Sequence, residues 1–246
     1  MLLAGMAGAA FAAAYLSAAV GIAGGTLFIV LLYLMLPPQL ALPLHGAVQV
    51  FNNAARLFVF REHVIWPIAR SFVIAVLPAV ALGWVLLGLL EPNWLKGLLG
   101  FYVLYAVFWP PSQERAPTAL GWSTIGGGAS LSSMLVGAAD PVIAPFFMSD
   151  RYARNQVIAT KAICQLSTHI PKVALFIVLG EATFDFNYGD HWIELVTMGL
   201  AVVFGIWAGK RVLISEVFFR RAYRLLLAVL GLRLILGSLT SLVSFS

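Results

Sequence analysis

Two polar patterns stand within otherwise apolar sequence and have the residue types needed to bind a ligand. The first, HGAVQVFNNAAR, covers 45–56, and the second, KAICQLSTHIPK, lies 116 residues further on at 161–172. Polar positions three or four residues apart share one face of a helix, so each pattern predicts a polar stripe. The offset matches His45 with Lys161, Gln49 with Gln165, Asn52 with Thr168, Asn53 with His169 and Arg56 with Lys172.

These ten side chains supply hydrogen-bond donors and cations and include no carboxylate. Arginine can offer two parallel donors to a sulfonate-like group, and lysine offers a point charge. Polar groups at membrane depth are costly and normally face the interior of a helix bundle. The pattern therefore predicts two facing stripes that bind a small anion with several oxygens.

The same residues also have simpler explanations. Arg56 and Lys172 lie near predicted helix ends and are able to extend to the membrane surface. Asn52, Asn53 and Thr168 are typical of hydrogen bonds between transmembrane helices. Gln49 and Gln165 lie centrally in the two stripes and match each other, so these simpler explanations account for them least well.

Each polar pattern follows an interrupted apolar stretch, VGIAGG at 20–25 or VGAADP at 136–141. An interruption that starts a new half-helix leaves free N–H groups, which bind anions with help from the helix dipole. The predicted half-helix starts are Gly24, Gly25 and Thr26 in the first half and 140–142 in the second. Asp140 does not suit an anion site, and it has three open roles: competing with the substrate, pairing with Lys161 or carrying a proton.

Composition defines the elements that must position these residues. The chain has 246 residues, of which 61% are apolar and only 10% charged, with a mean hydropathy of +0.95. This predicts an all-α polytopic membrane protein, since soluble domains are about 25% charged. The net charge of +5 is distributed by loop and indicates orientation rather than nucleic-acid binding. The single cysteine, Cys164, excludes an internal disulfide, and no metal-ligand spacing or cofactor motif is seen.

The predicted segments divide into two similar halves. Each half begins with a long interrupted apolar stretch and continues with three helices, and the polar linker 110–117 separates repeat 1–117 from repeat 118–246 within a single membrane domain. The interrupted stretches are 2–36 and 118–148, and the helices are 40–60, 68–90, 94–109, 155–180, 192–209 and a last one ending near residue 239.

Loop charge predicts that the two repeats are inverted. The basic loops 61–70 and 210–224 are expected on the cytoplasmic side, and 181–194, which has no Lys or Arg, on the outside. Corresponding loops then face opposite sides, so each half crosses the membrane an odd number of times. We therefore predict a broken or re-entrant hairpin plus three transmembrane helices per half, with both termini outside. Charge alone leaves open whether the hairpins are re-entrant or paired full spans.

Three segments resemble the sulfite exporter TauE/SafE family, whose members include permease-like transporters: GIAGGT, LHGAVQVFNNAARLFVFREHVIW and IATKAICQLSTHIPKVALFIVLGE. Length, segment number and duplicated layout resemble that family over essentially the whole chain. The resemblance implies a multi-pass secondary transporter of the bacterial inner membrane for sulfur-containing anions such as sulfite, sulfoacetate or related organosulfonates. The second interruption departs from the family, since Asp140 and Pro141 stand where members typically have more glycine.

The sequence thus predicts alternating-access export of a small sulfur-containing anion through a site between the repeats. Proton coupling through His45, His169 or Asp140 is left open, as is a homodimer within the lipid bilayer. An anion channel with the same lining and a membrane assembly protein are alternatives. An enzyme is not expected, because Ser130, Ser132, Ser133 and Cys164 lie near no acid–base constellation.

Overall fold

The computed structural model describes residues 1–20, 24–108, 116–147, 151–209 and 216–243. This part of the chain is helical and contains no strand. The predicted linker 110–117 and part of the first interruption, residues 21–23, fall largely outside it. The helices are α1 (Leu2–Val20), α2 (Gly24–Met35), α3 (Pro38–Phe60), α4 (Trp66–Val73), α5 (Val76–Leu89), α6 (Pro92–Phe108), α7 (Ala119–Val136), α8 (Asp140–Ile143), α9 (Arg154–Phe184), α10 (Trp192–Gly209) and α11 (Glu216–Val243).

The chain reverses direction between α1 and α2. Gly5 near the start of α1 lies beside Met35 at the end of α2, and Gly24 at the start of α2 lies against Ser17. The two helices therefore form an antiparallel hairpin, as the glycine-rich interruption predicts. A β-carbon at Gly24 would lie 2.5 Å from that of Ser17, so glycine is needed for the two arms to approach this closely.

A second reversal follows α7. Thr118 caps the start of this helix by accepting a hydrogen bond from the Gly121 amide at 3.2 Å. Gly137 ends it with φ +80°, a conformation that glycine adopts without strain. The chain then returns along α7, so that Phe147 packs on Trp122 with ring centres 5.2 Å apart. In the described part of this returning arm, α8 is one turn and is followed by a 3₁₀ turn at Ala144–Phe147.

The two stripe-bearing helices, α3 and α9, pack against each other in opposite directions. Gly46 near the start of α3 lies beside Lys172 in the second half of α9. Beyond the other end of α3, the Ile65 amide donates to Thr160 Oγ1 at 2.9 Å, near the start of α9. Both helices contain an internal proline, Pro43 or Pro171, and neither helix is divided by it.

The remaining helices are arranged around this central pair. Helix α1 packs on α10 in the same direction, α7 packs on α5 in the same direction, and α6 packs on α11 in the opposite direction. Glycines permit these contacts: a β-carbon at Gly205 would lie 2.6 Å from the Phe11 carbonyl oxygen, and one at Gly100 would lie 2.6 Å from that of Gly231. Close backbone approach of this kind is typical of helices packed in a membrane.

Two described segments, α9 and Tyr188–Gly209, are long and apolar enough to cross a membrane alone. A third span is counted if α4 and α5, which meet at a 41° bend, are taken together. Helix α3 has 23 residues and does not qualify, because its polar stripe lowers its hydropathy. Helices α1 and α2 are apolar but shorter.

Two predicted elements need correction. The expected single helix 68–90 is the bent pair α4 and α5, interrupted near Ile74 and Ala75. Pro78 explains the position of the bend, because a proline inside a helix cannot donate to the carbonyl four residues earlier, here that of Ile74, and its ring clashes with it. The expected basic loop 210–224 is also too long, because α11 begins at Glu216. Arg220, Arg221 and Arg224 thus belong to the first turns of α11, and residues 210–215 lie outside the described ranges.

Candidate functional site

The two stripes meet in the interior, where the imidazole rings of His45 and His169 are 5.6 Å apart. Every predicted stripe residue except Arg56, which is partly buried, is buried in the structure. On α3 the buried members are His45, Gln49, Asn52 and Asn53, and on α9 they are Lys161, Gln165, Thr168, His169 and Lys172. The predicted arrangement of two polar faces directed at each other is therefore the one observed.

Gln49 is the centre of the polar network on α3. Its Oε1 accepts from Asn52 Nδ2 at 3.1 Å, and its backbone carbonyl accepts from Asn53 Nδ2 at 2.9 Å. Its Nε2 lies 3.3 Å from His45 Nε2. The same imidazole nitrogen is 3.0 Å from the carbonyl oxygen of Gly25 at the hairpin tip. Because one ring nitrogen either donates or accepts, only one of these two contacts is a hydrogen bond at a time. The hydrogen bond from Asn52 orients the Gln49 amide beside the start of α2.

Gly25 is the point at which the two halves of the site approach each other. A β-carbon there would lie 2.8 Å from Gln49 Nε2 and 3.2 Å from Asp140 Oδ2. The start of α2 therefore touches an amide from α3 and a carboxylate from α8.

Asp140 pairs with Lys161, one of the three roles that the sequence leaves open. Its Oδ1 accepts from Lys161 Nζ at 2.8 Å and from Gln165 Nε2 at 2.7 Å. Asp140 is the first residue of α8, as the pattern predicts, but α8 has only four residues. A single turn contributes little dipole, so the charge at this tip comes chiefly from the side chains.

The cations Arg56 and Lys172 are held by the first arms of the two hairpins. Arg56 donates to the hydroxyl of Ser17 on α1. Lys172 donates to the backbone carbonyl of Ser133 on α7 at 2.7 Å and is 0% exposed. Extension of Lys172 to the membrane surface is therefore excluded, and its ammonium group lies inside the protein.

Other predicted members are positioned less directly. Thr168 donates to the Cys164 carbonyl of its own helix at 3.0 Å and lies 3.5 Å from Ser130, which favours a packing role. Among the described residues, buried atoms without a hydrogen-bond partner include Thr26 Oγ1, Asn52 Oδ1, Asn53 Oδ1 and His45 Nδ1. Four unpartnered polar atoms around one buried cluster are unusual in a core that serves only for packing.

A small cavity opens beside this cluster. Gln49, Asn52 and Gly24 supply its polar side, and Ala10, Ala13 and Ala14 of α1 supply an apolar wall. Its volume is about 10 Å³, which is room for about one water. Two of the predicted polar side chains, Gln49 and Asn52, are therefore in contact with open space in this conformation.

Sequence reasoning missed the serines of the hairpin arms. Ser17 binds Arg56, and Ser133 receives Lys172 at its carbonyl while its hydroxyl lies 3.4 Å from His169 Nδ1. A signal was present, because Ser17 and Ser133 are 116 residues apart, as are Arg56 and Lys172. The same offset that aligns the stripes therefore also aligns their partners on the hairpins.

In the described residues, no group of three or more His, Cys, Asp or Glu side chains is arranged to hold a metal ion. The polar groups that do converge are amides, imidazoles, hydroxyls, cations and one paired carboxylate. This arrangement suits hydrogen bonding and charge pairing with a small polar ligand.

Apolar helices, two chain reversals and a buried polar junction between them define a multi-pass membrane protein with an internal polar site. The chain belongs to the family described as sulfite exporter TauE/SafE, whose model matches residues 6–234. This family is a transporter family, so the chain has a membrane transport role, and the resemblance seen in the sequence is confirmed. No curated protein and no solved structure matched the chain.

Proposed function

We propose that the protein is a secondary transporter that exports a small sulfur-containing anion, such as sulfite, sulfoacetate or a related organosulfonate, by alternating access. The observation that carries this proposal is the junction at Gly25. There, a hairpin tip of one half meets Gln49 of the same half and Asp140 of the other. A site built from both halves is what alternating access requires, because movement of one half relative to the other opens or closes it.

The residue chemistry supports an anionic substrate. The junction combines Lys161 with the amides of Gln49 and Gln165, and Arg56 and Lys172 lie on the same two helices. Sulfite and sulfonates carry several oxygens and can accept from all of these donors. We propose that the fourteen predicted site residues, Gly24, Gly25, Thr26, His45, Gln49, Asn52, Asn53, Arg56, Asp140, Lys161, Gln165, Thr168, His169 and Lys172, form or support this site.

We also propose that 1–117 and 118–246 are inverted repeats. Helix boundaries support it: α2 and α8 begin 116 residues apart, as do α3 and α9, and α5 and α10. The packing supports it too. The counterpart of α1 in the other half is α7, and that of α10 is α5; α1 packs on α10, and α7 packs on α5. The helices that pair with their own counterparts, α3 with α9 and α6 with α11, run antiparallel. A two-fold axis in the membrane plane requires that orientation.

The remaining parts of the proposal concern setting and coupling. A bacterial inner membrane is proposed, with the apolar helices surrounded by lipid. Coupling to the proton gradient through His45, His169 or Asp140 and assembly as a homodimer are proposals that follow from the residue types and the family. A purified protein in vesicles with an imposed pH gradient tests the coupling, since proton coupling predicts anion flux that follows the gradient.

The direct test is reconstitution of the full chain into liposomes and measurement of sulfite, sulfoacetate, taurine and sulfate flux. We expect saturable flux of at least one sulfur oxyanion. Gln49→Leu and Gln165→Leu are expected to weaken binding about tenfold or more, because a buried charged ligand then loses an amide donor.

Gln39→Leu is the matched control, because Gln39 lies on the same helix as Gln49 but lines a separate apolar crevice with Leu42 and Phe176. It is expected to retain wild-type flux. Flux that rises linearly with concentration would indicate an anion channel instead. Unchanged binding and flux in both stripe variants would show that this site does not bind the substrate.

A further inference from the structure

The groups best suited to bind an oxyanion all converge on one carboxylate that the protein supplies itself. Oδ1 of Asp140 receives Lys161 Nζ at 2.8 Å and Gln165 Nε2 at 2.7 Å, while Oδ2 faces Gly25 at the start of α2. Arg56 also lies within electrostatic range of this carboxylate. A cation, an amide and a helix start are the contacts that an oxyanion makes with a protein.

Burial isolates the ion pair between Asp140 and Lys161 from solvent. Asp140 and Lys161 are each only 5% exposed, so water cannot replace either partner at the junction. Among the described residues, Asp140 is the carboxylate that pairs with the Lys161 ammonium, and an anion that takes over the N–H donors pointing at Oδ1 must displace it. An ion pair buried in this way is neutral as a unit, and removal of one partner leaves an uncompensated charge.

The two halves differ at this position. Gly24 begins α2 and Asp140, 116 residues later, begins α8, so one hairpin tip brings no side chain and the other brings an anion. The cavity beside Gln49 and Asn52 lies on the glycine side of the junction. A ligand that reaches Gln49 from this cavity is therefore next to the carboxylate but has not yet gained Lys161 or Gln165.

We propose that Asp140 is a resident substitute for the transported anion, which holds Lys161 and Gln165 in the substrate-free protein and is displaced from them when substrate binds. This deepens the proposed function, on which it rests, by assigning the site a built-in competitor. The competitor lowers the affinity for the substrate, and by re-forming its own contacts it assists release. It also keeps the buried ammonium paired when no substrate is present.

Asp140→Asn tests the proposal, because the amide keeps the size of the side chain and an oxygen for Gln165 but removes the charge. We expect the detergent-solubilised full chain carrying this change to bind sulfite about tenfold to a hundredfold more tightly than wild type, the range for a hydrogen bond to a charged group. Formate, which resembles the missing carboxylate, is expected to raise its melting temperature and to leave that of wild type nearly unchanged.

Asp140→Asn combined with Lys161→Met is the second variant. It removes both charges, so it is expected to fold without added anion and to lose the gain in sulfite affinity and the stabilisation by formate. Asp190→Asn is the matched control, since it makes the same change at an exposed position and should behave as wild type. A single variant that folds only with formate or sulfite present would also support the proposal.

The proposal is overturned if Asp140→Asn binds sulfite as wild type does or more weakly. It is equally overturned if no anion stabilises the single variant while the double variant folds well. Wild-type sulfite flux with unchanged affinity in Asp140→Asn would remove this inference and leave the proposed function standing. Absence of anion binding in wild type and variant alike would remove both.

Discussion

At the scale of single residues, the proposed site contains one buried glutamine from each stripe helix. Gln49 organises its neighbours on α3 through hydrogen bonds from Asn52 and Asn53, whereas Gln165 reaches across to Asp140. Both amides are buried, and both have a partner at the hairpin tips or beside them. Their matched spacing in the sequence therefore places each amide near a hairpin tip, and only Gln165 hydrogen-bonds a tip residue.

Gly25→Ala is expected to reduce sulfite binding and flux with little effect on folding. The added methyl group would lie 2.8 Å from Gln49 Nε2 and 3.2 Å from Asp140 Oδ2, so it fills the space where these groups approach. The Gln49 amide is the end of a side chain and must move to admit the methyl group, which disturbs its hydrogen bond with Asn52 without displacing the backbone. Binding titration and liposome flux measure the loss.

Gly8→Ala is the control for that change, because it lies on α1 of the same hairpin and a β-carbon there would have no neighbour within 4 Å. Its flux should match wild type, and its stability should be equal or slightly higher, since alanine favours a helix by about 1 kcal/mol over glycine. Full flux in Gly25→Ala would show that the tip is not part of the substrate route.

At the scale of elements, glycines decide which helices can lie in contact. Gly126 on α7 faces the backbone of Phe72 on α4, and Gly205 on α10 faces the backbone of Phe11 on α1. Backbone atoms cannot rotate away as side chains do, so a methyl group at either position forces the helices apart. The two hairpins are thus attached to the bundle through contacts that tolerate no side chain.

Gly126→Ala and Gly205→Ala are each expected to destabilise the protein by about 1–3 kcal/mol, the usual cost of overpacking a tight contact. Thermal unfolding in detergent measures this as a lower melting temperature. Gly199→Ala on α10 should be neutral or slightly stabilising, because nothing lies within 4 Å of its β-carbon position. Equal melting temperatures in all three variants would mean that these close contacts do not hold the helices.

Much of the element layout could be predicted from local signals. Pro37, the glycines near residue 24 and Gly137 mark real ends and reversals, because these residues restrict or extend backbone freedom wherever they occur. The stripes were predictable since polar side chains in a membrane must face inward. The bend between α4 and α5 was missed although it has a local signal, since Pro78 lies four residues after Ile74 and disfavours a continuous helix there. The roles of Ser17 and Ser133, in contrast, depend on contacts distant in sequence.

At the scale of the whole molecule, many large apolar side chains face outward and some charged ones are buried, which is the reverse of a soluble protein. Leu89, Leu120 and Val178 are at least 75% exposed, while Lys172 is 0% exposed. Such an outer surface is stable in lipid and not in water. The bilayer therefore surrounds the apolar exterior, and the polar network lies in the interior.

Orientation can be tested by cysteine labelling with a reagent that does not cross membranes. Glu62→Cys is expected to react only from the cytoplasmic side and Asp190→Cys only from the outside, as the inverted arrangement requires; both positions are exposed. The native Cys164 is 0% exposed, so background labelling should be low. Labelling of both positions from the same side would rule out inversion.

The different backbone conformations of the two returning arms have an energetic consequence. Helix α2 has 12 residues, whereas α8 has four and continues as a four-residue 3₁₀ turn. Under the proposed alternating access, two identical inverted repeats would make the inward-open and outward-open states equal in free energy. Arms of different backbone conformation remove that degeneracy, and a difference of only about 1.4 kcal/mol populates one state tenfold over the other. We therefore expect a preferred resting orientation, with different half-saturation concentrations for sulfite offered from the two faces.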